Sequence, residues 1–457
     1  MDLSEALVTV STVSPPTAFQ FAREHIPAEW IEQALAKTGA GSIRRRKLPA
    51  DHVVWLVIGM ALFRDRSIEA VVSHLGLADD PETRRTGSVV PAAIAQARQR
   101  IGQAPLRGLF ERTAEAWATP QLDRARWRGL RVYAVDGSTI NVADTPENHE
   151  HFGRPGSSRG GPSGYPKARL VALSAPRSHL LVDMAVGPYA SCELELAKDL
   201  WPQIPGESIT LVDRGFLAYP TLHQLHDASR QRHWLTRMKK NLGWKTVQEL
   251  GEDDLLVHLA YSKQSRAIHP EVPEVLVARV IRYQRAGFEP QWLVTSLLDP
   301  LAYPAAEIVA LYHERWEIEI AFDEQKTHML QREEALRSKT PQGVLQEIWG
   351  LGIAYNLVRV MMCSVAADAR VPPSRISFWN ALLLIRNFLV MAWNDKPGTL
   401  PGLLNSMRQQ MRLLILPERR PRSSPRHVKI KMSNYPKKPP LPHASRPAKP
   451  RAPGKLK

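Results

Sequence analysis

Two aspartates and one charged helix carry the most chemistry in this sequence. Asp136 sits in LRVYAVDGS and Asp213 in ITLVDRG, each at the end of a short apolar run that predicts a buried strand. Asp-Gly and Asp-Arg-Gly are ordinary turn formers, which accounts for either residue taken singly. As a pair at one end of a sheet they could share divalent cations, since Mg²⁺ favours a few carboxylates completed by substrate phosphate oxygens. A helix predicted from Pro304 to Leu330 supplies the rest. With Tyr312 at 0° and about 100° per residue, Arg315 falls at about 300°, Glu319 at about 340° and Lys326 at about 320°. An aromatic, two cations and a carboxylate therefore share one face, with Asp323 beside it at about 20°. Glu314, Glu317 and Glu324 point away, at about 200°, 140° and 120°. A salt-bridged helix surface, with Glu319 and Asp323 pairing to Arg315 and Lys326, also explains that face. It does not explain why two strand-end aspartates precede the helix within one α/β unit.

The elements that must position these residues follow from a change of period along the chain. Apolar runs at 28–38, 50–76 and 91–118 have helical spacing, so residues 1–120 predict an all-helical N-terminal domain. Its basic cluster Arg44, Arg45, Arg46 and Lys47 suits phosphate contact or a solvated loop equally well. From 125 to 244 the order is three strands, helix, strand, helix, strand, an α/β plan. Residues 245–300 contain the strand-like VLVARVIRY and PQWLVTSL and predict a β insertion. The charged helix falls within 301–335, a helical C-terminal region spans 336–416, and a Pro-rich tail occupies 417–457.

Composition narrows the setting. The 457 residues are 44% hydrophobic and 23% charged, enough for ordinary cores. Cys192 and Cys363 cannot build a disulfide framework, so a reducing, cytoplasmic setting is expected. The apolar stretches 343–363 and 381–393 carry Glu347, Arg359 and Arg386, so no membrane span is expected. His223-x2-His226 has no third ligand in view and predicts a solvated helix, and His149-x-His151, placed in a loop, has the same weakness. The net charge of +16 is concentrated at one end: residues 419–457 hold thirteen Lys or Arg and no acid, leaving 48 bases against 45 acids elsewhere. The tail is either a solvated extension or a non-specific clamp on nucleic acid.

The spacing Tyr312-x2-Arg315-x3-Glu319-x6-Lys326 resembles the YREK signature of the DDE transposases of the insertion-element-four family. DGST at 136–139 and VDRGF at 212–216 resemble that family's two aspartate motifs, and the family plan covers the chain to about residue 415. The resemblance implies a ribonuclease-H-like catalytic core, a mixed sheet with flanking helices, interrupted by the β insertion. It implies that Asp136, Asp213 and Glu319 hold two Mg²⁺ ions, with Mn²⁺ able to substitute, for cleavage of phosphodiesters by a two-metal site. Arg315 and Lys326 would then hold a terminal phosphate with Tyr312 assisting, one cation bidentate and the other as a point charge. Arg237, Lys239 and Lys240 match a basic run of the family, for which groove contact and plain solubility remain open. Glu193 and Glu195 match an acidic position before the second aspartate, or are exposed helix charges. Trp292 corresponds to a tryptophan that stacks on a base flipped from the duplex, although alternation along PQWLVTSL also allows packing. The implied activity is cut-and-paste transposition on double-stranded DNA, both terminal inverted repeats and target, by a synaptic homodimer at the nucleoid with a hairpin intermediate. A decayed or domesticated DNA-binding relative, and a nuclease without strand transfer, are the alternatives.

If the tail is a clamp, deleting 419–457 should weaken binding to every duplex alike and flatten its salt dependence, because thirteen cations are lost. An unchanged slope of affinity against salt would show that the tail does not touch DNA.

Overall fold

The apolar runs around Asp136 and Asp213 become the middle of a nine-stranded sheet. The computed structural model describes residues 25–41, 48–78, 89–156, 164–239, 242–285, 288–331, 334–394 and 399–418; Arg44–Lys47, Lys240 and the tail from 419 lie outside them. The strands are β1 (Arg131–Asn141), β2 (Lys167–Ala175), β3 (Leu180–Pro188), β4 (Ser208–Val212), β5 (Arg232–Arg237), β6 (Lys245–Gly251), β7 (Asp254–Ala260), β8 (Val275–Tyr283) and β9 (Gln291–Thr295). They lie in the order β3-β2-β1-β4-β5-β9-β8-β7-β6. The β1–β4 and β4–β5 pairs are parallel and every other pair is antiparallel. β4 is buried at all its positions, as a parallel strand covered on both faces should be.

Helices precede, cover and follow the sheet. The N-terminal set is α1 (Ala28–Lys37), α2 (Ala50–Leu62), α3 (Ile68–His74), α4 (Pro91–Ile101) and α5 (Ala104–Arg124). Short helices α6 (Pro146–Phe152), α7 (Glu193–Ala197), α8 (Tyr219–Leu225) and α9 (Lys263–Ile268) connect strands. After the sheet come α10 (Ala305–His313), α11 (Trp316–Asp323), a π-helical turn over Glu324–Met329, α12 (Pro341–Ala369), α13 (Phe378–Asn394) and α14 (Leu400–Arg412). The fold is mixed α/β.

Local chemistry broke several predicted elements. The apolar run 50–76 divides into α2 and α3, because the Ser67 hydroxyl accepts from the Ala70 amide at 3.1 Å and starts a new helix. The run 91–118 divides at Gly102, whose φ of 65° ends α4. The single helix expected over 304–330 is three segments, with a turn at Glu314–Arg315 and π geometry after Asp323. A 100° wheel therefore does not hold as far as Lys326. Asp136 does not end its strand: β1 runs on to Asn141, because its ladder with β2 continues to Asn141↔Lys167 after the parallel ladder with β4 stops at Val135↔Val212. Residues 245–300 supply four strands where two were predicted, and β9 pairs with β5, so they prolong the one sheet.

One helix organises the interior. α12 is long and apolar enough to cross a membrane by length and composition, yet 89% of its most apolar stretch is buried inside the protein. α2 and α5 pack along it. Its Glu347 is buried between two arginines, lying 3.7 Å from Arg64 and 3.8 Å from Arg98. α2 is apolar all round and buried nearly throughout, which its sequence ADHVVWLVIGMAL demands. Close approach depends on Gly350, where a Cβ would stand 2.5 Å from Val57 Cγ1 and 3.1 Å from the Val57 carbonyl oxygen. Gly350→Val should thus force α2 and α12 apart and cost about 1–3 kcal/mol, read as a lowered Tm. An unchanged Tm would mean the helices can separate freely at this point.

Candidate active site

β1 and β4 bring the two aspartates level. Val135 and Val212 are paired in the parallel ladder, and Asp136 and Asp213 are the residues that follow them. Each carboxylate is held by its own backbone. Asp136 Oδ1 accepts from the Gly137 amide at 2.8 Å, and Asp213 Oδ1 accepts from the amides of Gly215 at 2.7 Å and Phe216 at 3.3 Å. The turn-forming role read from Asp-Arg-Gly is therefore real, and it fixes the carboxylate rather than competing with it.

α11 lies over β1 and brings Glu319. The bridge is Arg315, in the turn between α10 and α11: its Nη2 donates to Glu319 Oε1 at 2.7 Å and its Nη1 to Asp136 Oδ2 at 3.3 Å. Burial pushes the Asp136 carboxyl up to about 6; the Gly137 amide and Arg315 oppose that rise, and the charges of Asp213 and Glu319 add to it. Burial works against the Arg315 charge, but its hydrogen bond to Glu319, with Tyr312 and Asp136 nearby, raises it above the ordinary value. Asp213 and Glu319 are thus both near enough to act on Asp136 in one partly buried site.

The other predicted residues gather around this core to different degrees. Tyr312 is buried, and burial raises its hydroxyl pKa, with Arg315 and Arg237 drawing it down and Asp213 pushing it up. Arg237 Nη1 donates to Gln291 Oε1 at 3.2 Å, and the Tyr283 hydroxyl donates to the same atom at 3.1 Å. Lys239 Nζ donates to the Leu217 carbonyl at 2.9 Å. Lys326 is half-buried in the π-helical turn. Trp292 is half-buried on β9 with its ring centroid 5.3 Å from that of Trp244. Asp323 is exposed and accepts from the Thr327 hydroxyl at 2.7 Å.

Glu193 stands across β1 from Asp136. A Cβ on Gly137 would come within 2.3 Å of its carboxyl carbon, and successive strand residues face opposite ways. Its carboxylate pairs with Arg169, and Glu195 pairs with Lys198 at 2.7 Å. His226 is half-buried on the Arg232 carbonyl at 3.1 Å rather than solvated.

The rear face of α10 and α11 was missed from sequence. Arg177, in the β2–β3 turn, grips Glu314 through two hydrogen bonds of 2.7 and 2.8 Å. His179, in the same turn and buried, meets Glu317 Oε2 through Nε2 at 2.7 Å. Its Nδ1 accepts from Arg359 Nη2, which assigns the proton to Nε2. Arg359, buried on α12, pairs with Glu324, and the Tyr355 hydroxyl donates to Glu324 at 2.9 Å. The signal was present: Glu314, Glu317 and Glu324 form an acidic stripe amid apolar residues, opposite the Arg315–Glu319 face. Trp244 beside Trp292, and the exposed Trp316 next to Arg315, also border the residues predicted from sequence.

Comparison with known proteins then decides the family. Residues 16–111 match the family described as insertion element 4 transposase N-terminal, and residues 127–357 match the transposase DDE domain. The transposase InsG of insertion sequence element IS4 from Escherichia coli K12 is 35% identical over 419 residues, 91% of this chain and 93% of that protein. The chain belongs to the insertion element 4 family of DDE transposases. The putative transposase InsZ of the same organism is 36% identical over 237 residues, 52% of this chain and 77% of that protein. A solved piggyBac transposase synaptic complex with hairpin DNA covers 91% of this chain, and this chain covers 88% of that one, at a TM-score of 0.41 and 11% identity, too remote to bear on the site. This transposase is an enzyme acting on DNA, and its DDE domain carries a divalent-metal dependence.

The clamp behind its site has an acid signature. The Glu324 carboxyl is held at about 2 against an ordinary 4.5: burial alone would raise it, and Arg359 and His179 more than reverse that. Its ionised form therefore stabilises the fold fully above the unfolded pKa, and that contribution is lost as pH falls from about 4.5 towards about 2. The Tm values of the wild type and Glu324→Gln should accordingly converge as the pH is lowered through that window. Parallel curves would remove the pair from the acid response. Arg359→Ala, which strands a buried carboxylate, should cost about 3–5 kcal/mol at neutral pH.

Proposed function

We propose that Asp136, Asp213 and Glu319 are the catalytic carboxylates of a cut-and-paste transposase with a ribonuclease-H-like core. The observation that carries this is the convergence of Asp136 and Glu319 on one arginine, level with Asp213 on the adjacent parallel strand. The strand order β3-β2-β1-β4-β5, with its central parallel pairs, supports the core assignment. The donor set consists of carboxylate oxygens, which suits Mg²⁺, with Mn²⁺ as a substitute. As the side chains stand, no three His, Cys, Asp or Glu among the described residues are gathered closely enough to hold an ion, and Arg315 occupies the middle. Asp136, Asp213 and Glu319 would hold two metal ions, which when bound supply an activated water or 3′-hydroxyl and absorb charge on the leaving oxygen.

The chain's own groups do the rest of the work. Arg315 and Lys326 hold the terminal phosphate, without which three carboxylates would repel the backbone, and Tyr312 buttresses Arg315. Arg237 contacts the DNA beside the cleaved end. Trp292, supported by Trp244, receives a base that leaves the stack when the strand folds into a hairpin, restoring roughly 1–3 kcal/mol of lost stacking. Residues 1–120 bind the terminal inverted repeats, 125–244 with 301–335 form the core, 245–300 form the insertion, and 336–416 join two copies in a synaptic homodimer. The basic tail from 417 adds non-specific affinity, and the enzyme works at the nucleoid in the cytoplasm.

Asp136→Ala, Asp213→Ala or Glu319→Ala should each abolish metal-dependent nicking of an end duplex while leaving its binding within a few-fold of wild type. Persistent nicking in Glu319→Ala with loss in Asp323→Ala would move the helix carboxylate to Asp323. Trp292→Ala should nick and then fail to form hairpins. Nicking without any joining of the freed 3′ end to a target duplex would reduce the wild type to a nuclease.

A further inference from the structure

Arg315 makes its two ion pairs with atoms that a metal would need. Asp136 Oδ1 is engaged by the Gly137 amide, and the arginine takes the other oxygen, Oδ2, at 3.3 Å. It takes Glu319 Oε1 at 2.7 Å with its second terminal nitrogen. A guanidinium and a divalent cation repel each other, so both cannot sit close between the same pair of carboxylates. The arginine nonetheless has somewhere to go. Its backbone is a turn between two helices, and the Glu319 side chain it holds is 34% exposed, which puts that end of the bridge within reach of solvent. The turn itself is fixed from behind, by Arg177 on Glu314 and His179 on Glu317, so side-chain rotation alone can release the guanidinium.

We propose that Arg315 is an exchangeable counter-ion, which neutralises Asp136 and Glu319 until a divalent cation takes its place and then transfers to a DNA phosphate. This rests on the assignment of those carboxylates as metal ligands. It adds a consequence that the assignment alone lacks: metal and DNA bind with positive coupling, because each favours the arginine's second position. Linkage requires the coupling to be reciprocal, with metal tightening DNA by the factor by which DNA tightens metal. A site occupied by its own arginine also resists loading with metal before an end is bound.

The test is Mn²⁺ binding to the full-length protein, followed by electron paramagnetic resonance of the free ion at pH about 8, where carboxylates are ionised. It is run with and without a blunt duplex copied from the DNA bordering the reading frame. For the wild type, the duplex should tighten Mn²⁺ about tenfold, and Mn²⁺ should tighten the duplex equally. Arg315→Ala should bind Mn²⁺ about tenfold more tightly than wild type without DNA, and the duplex should then add little. Arg315→Lys, a point charge able to neutralise only one carboxylate well, should fall between them and guards against misfolding of the alanine variant. The proposal is overturned if Arg315→Ala and Arg315→Lys bind Mn²⁺ no more tightly than wild type, or if both keep the full coupling, while Asp136→Ala and Glu319→Ala lose binding. If Asp136→Ala and Glu319→Ala still bind Mn²⁺ undiminished, the ligand assignment itself fails and the exchange falls with it.

Discussion

The buried pairing of Glu324 with Arg359 is the constraint on which the site depends. It ties the end of α11 to the long helix α12, at a point where Arg359 is fully buried and Glu324 nearly so. Losing either partner of such a pair leaves an uncompensated buried charge, so it tolerates no shift in register. A one-residue slip of α11 would turn Glu319 by about 100° and strand a buried carboxylate at the same time. Tyr355 and His179 complete the hydrogen bonding of Glu324 and Arg359, although Arg359 Nη1 has no hydrogen-bond partner. The π-helical turn beginning at Glu324 fits this account: the backbone widens by a residue where the side chain is pinned, and Leu330 N then reaches the Gln325 carbonyl at 2.8 Å.

The sheet imposes the second constraint. Parallel pairing of β1 with β4 sets Asp136 and Asp213 level, and strand alternation sends Asp136 towards α11 and Gly137 towards α7. Because residues 245–295 extend the sheet beyond β5, β9 is pinned beside it through Leu235↔Thr295 and Arg237↔Leu293. That pairing brings Gln291 to Arg237, and Met238 N donates to the Trp292 carbonyl at 2.8 Å. The basic end of β5 and the tryptophan of β9 are neighbours through backbone hydrogen bonds, not through side-chain attraction.

Much of this was legible in the residues, and the failures have physical causes. Strands such as β8, written VLVARVIRY, declare themselves by β-branched alternation. β6 does not: KTVQELG is mostly polar because it is an exposed edge strand with no core face to pattern it. The Asp-Gly turn signal predicts a strand end at Asp136, and pairing with β2 overrides it. The break at Glu314–Arg315 carries neither Gly nor Pro, so nothing local announces it. It is held by Arg177, more than a hundred residues earlier, and no window of sequence contains both partners. Glu317 and Glu324 were correctly seen to point away from the site. What they point at, His179 and Arg359, is set by tertiary packing alone.

The helix therefore carries two acidic faces with opposite destinies. Behind, Glu324 is paired with an arginine that is 1% exposed, in a setting where loss of either partner leaves a naked buried charge. In front, Glu319 is paired with an arginine that is 14% exposed and is itself 34% exposed, so this pair stands closer to water than the one behind. The same chemistry, carboxylate against guanidinium, is static at one place and labile at the other because burial differs. On the proposed reading, a site that admits a cation and a phosphate needs its own charges to be movable, while the pairing behind the helix holds its backbone in place. The proposed exchange of Arg315 and the fixed pairing of Arg359 then differ through one variable, how far each pair stands from water.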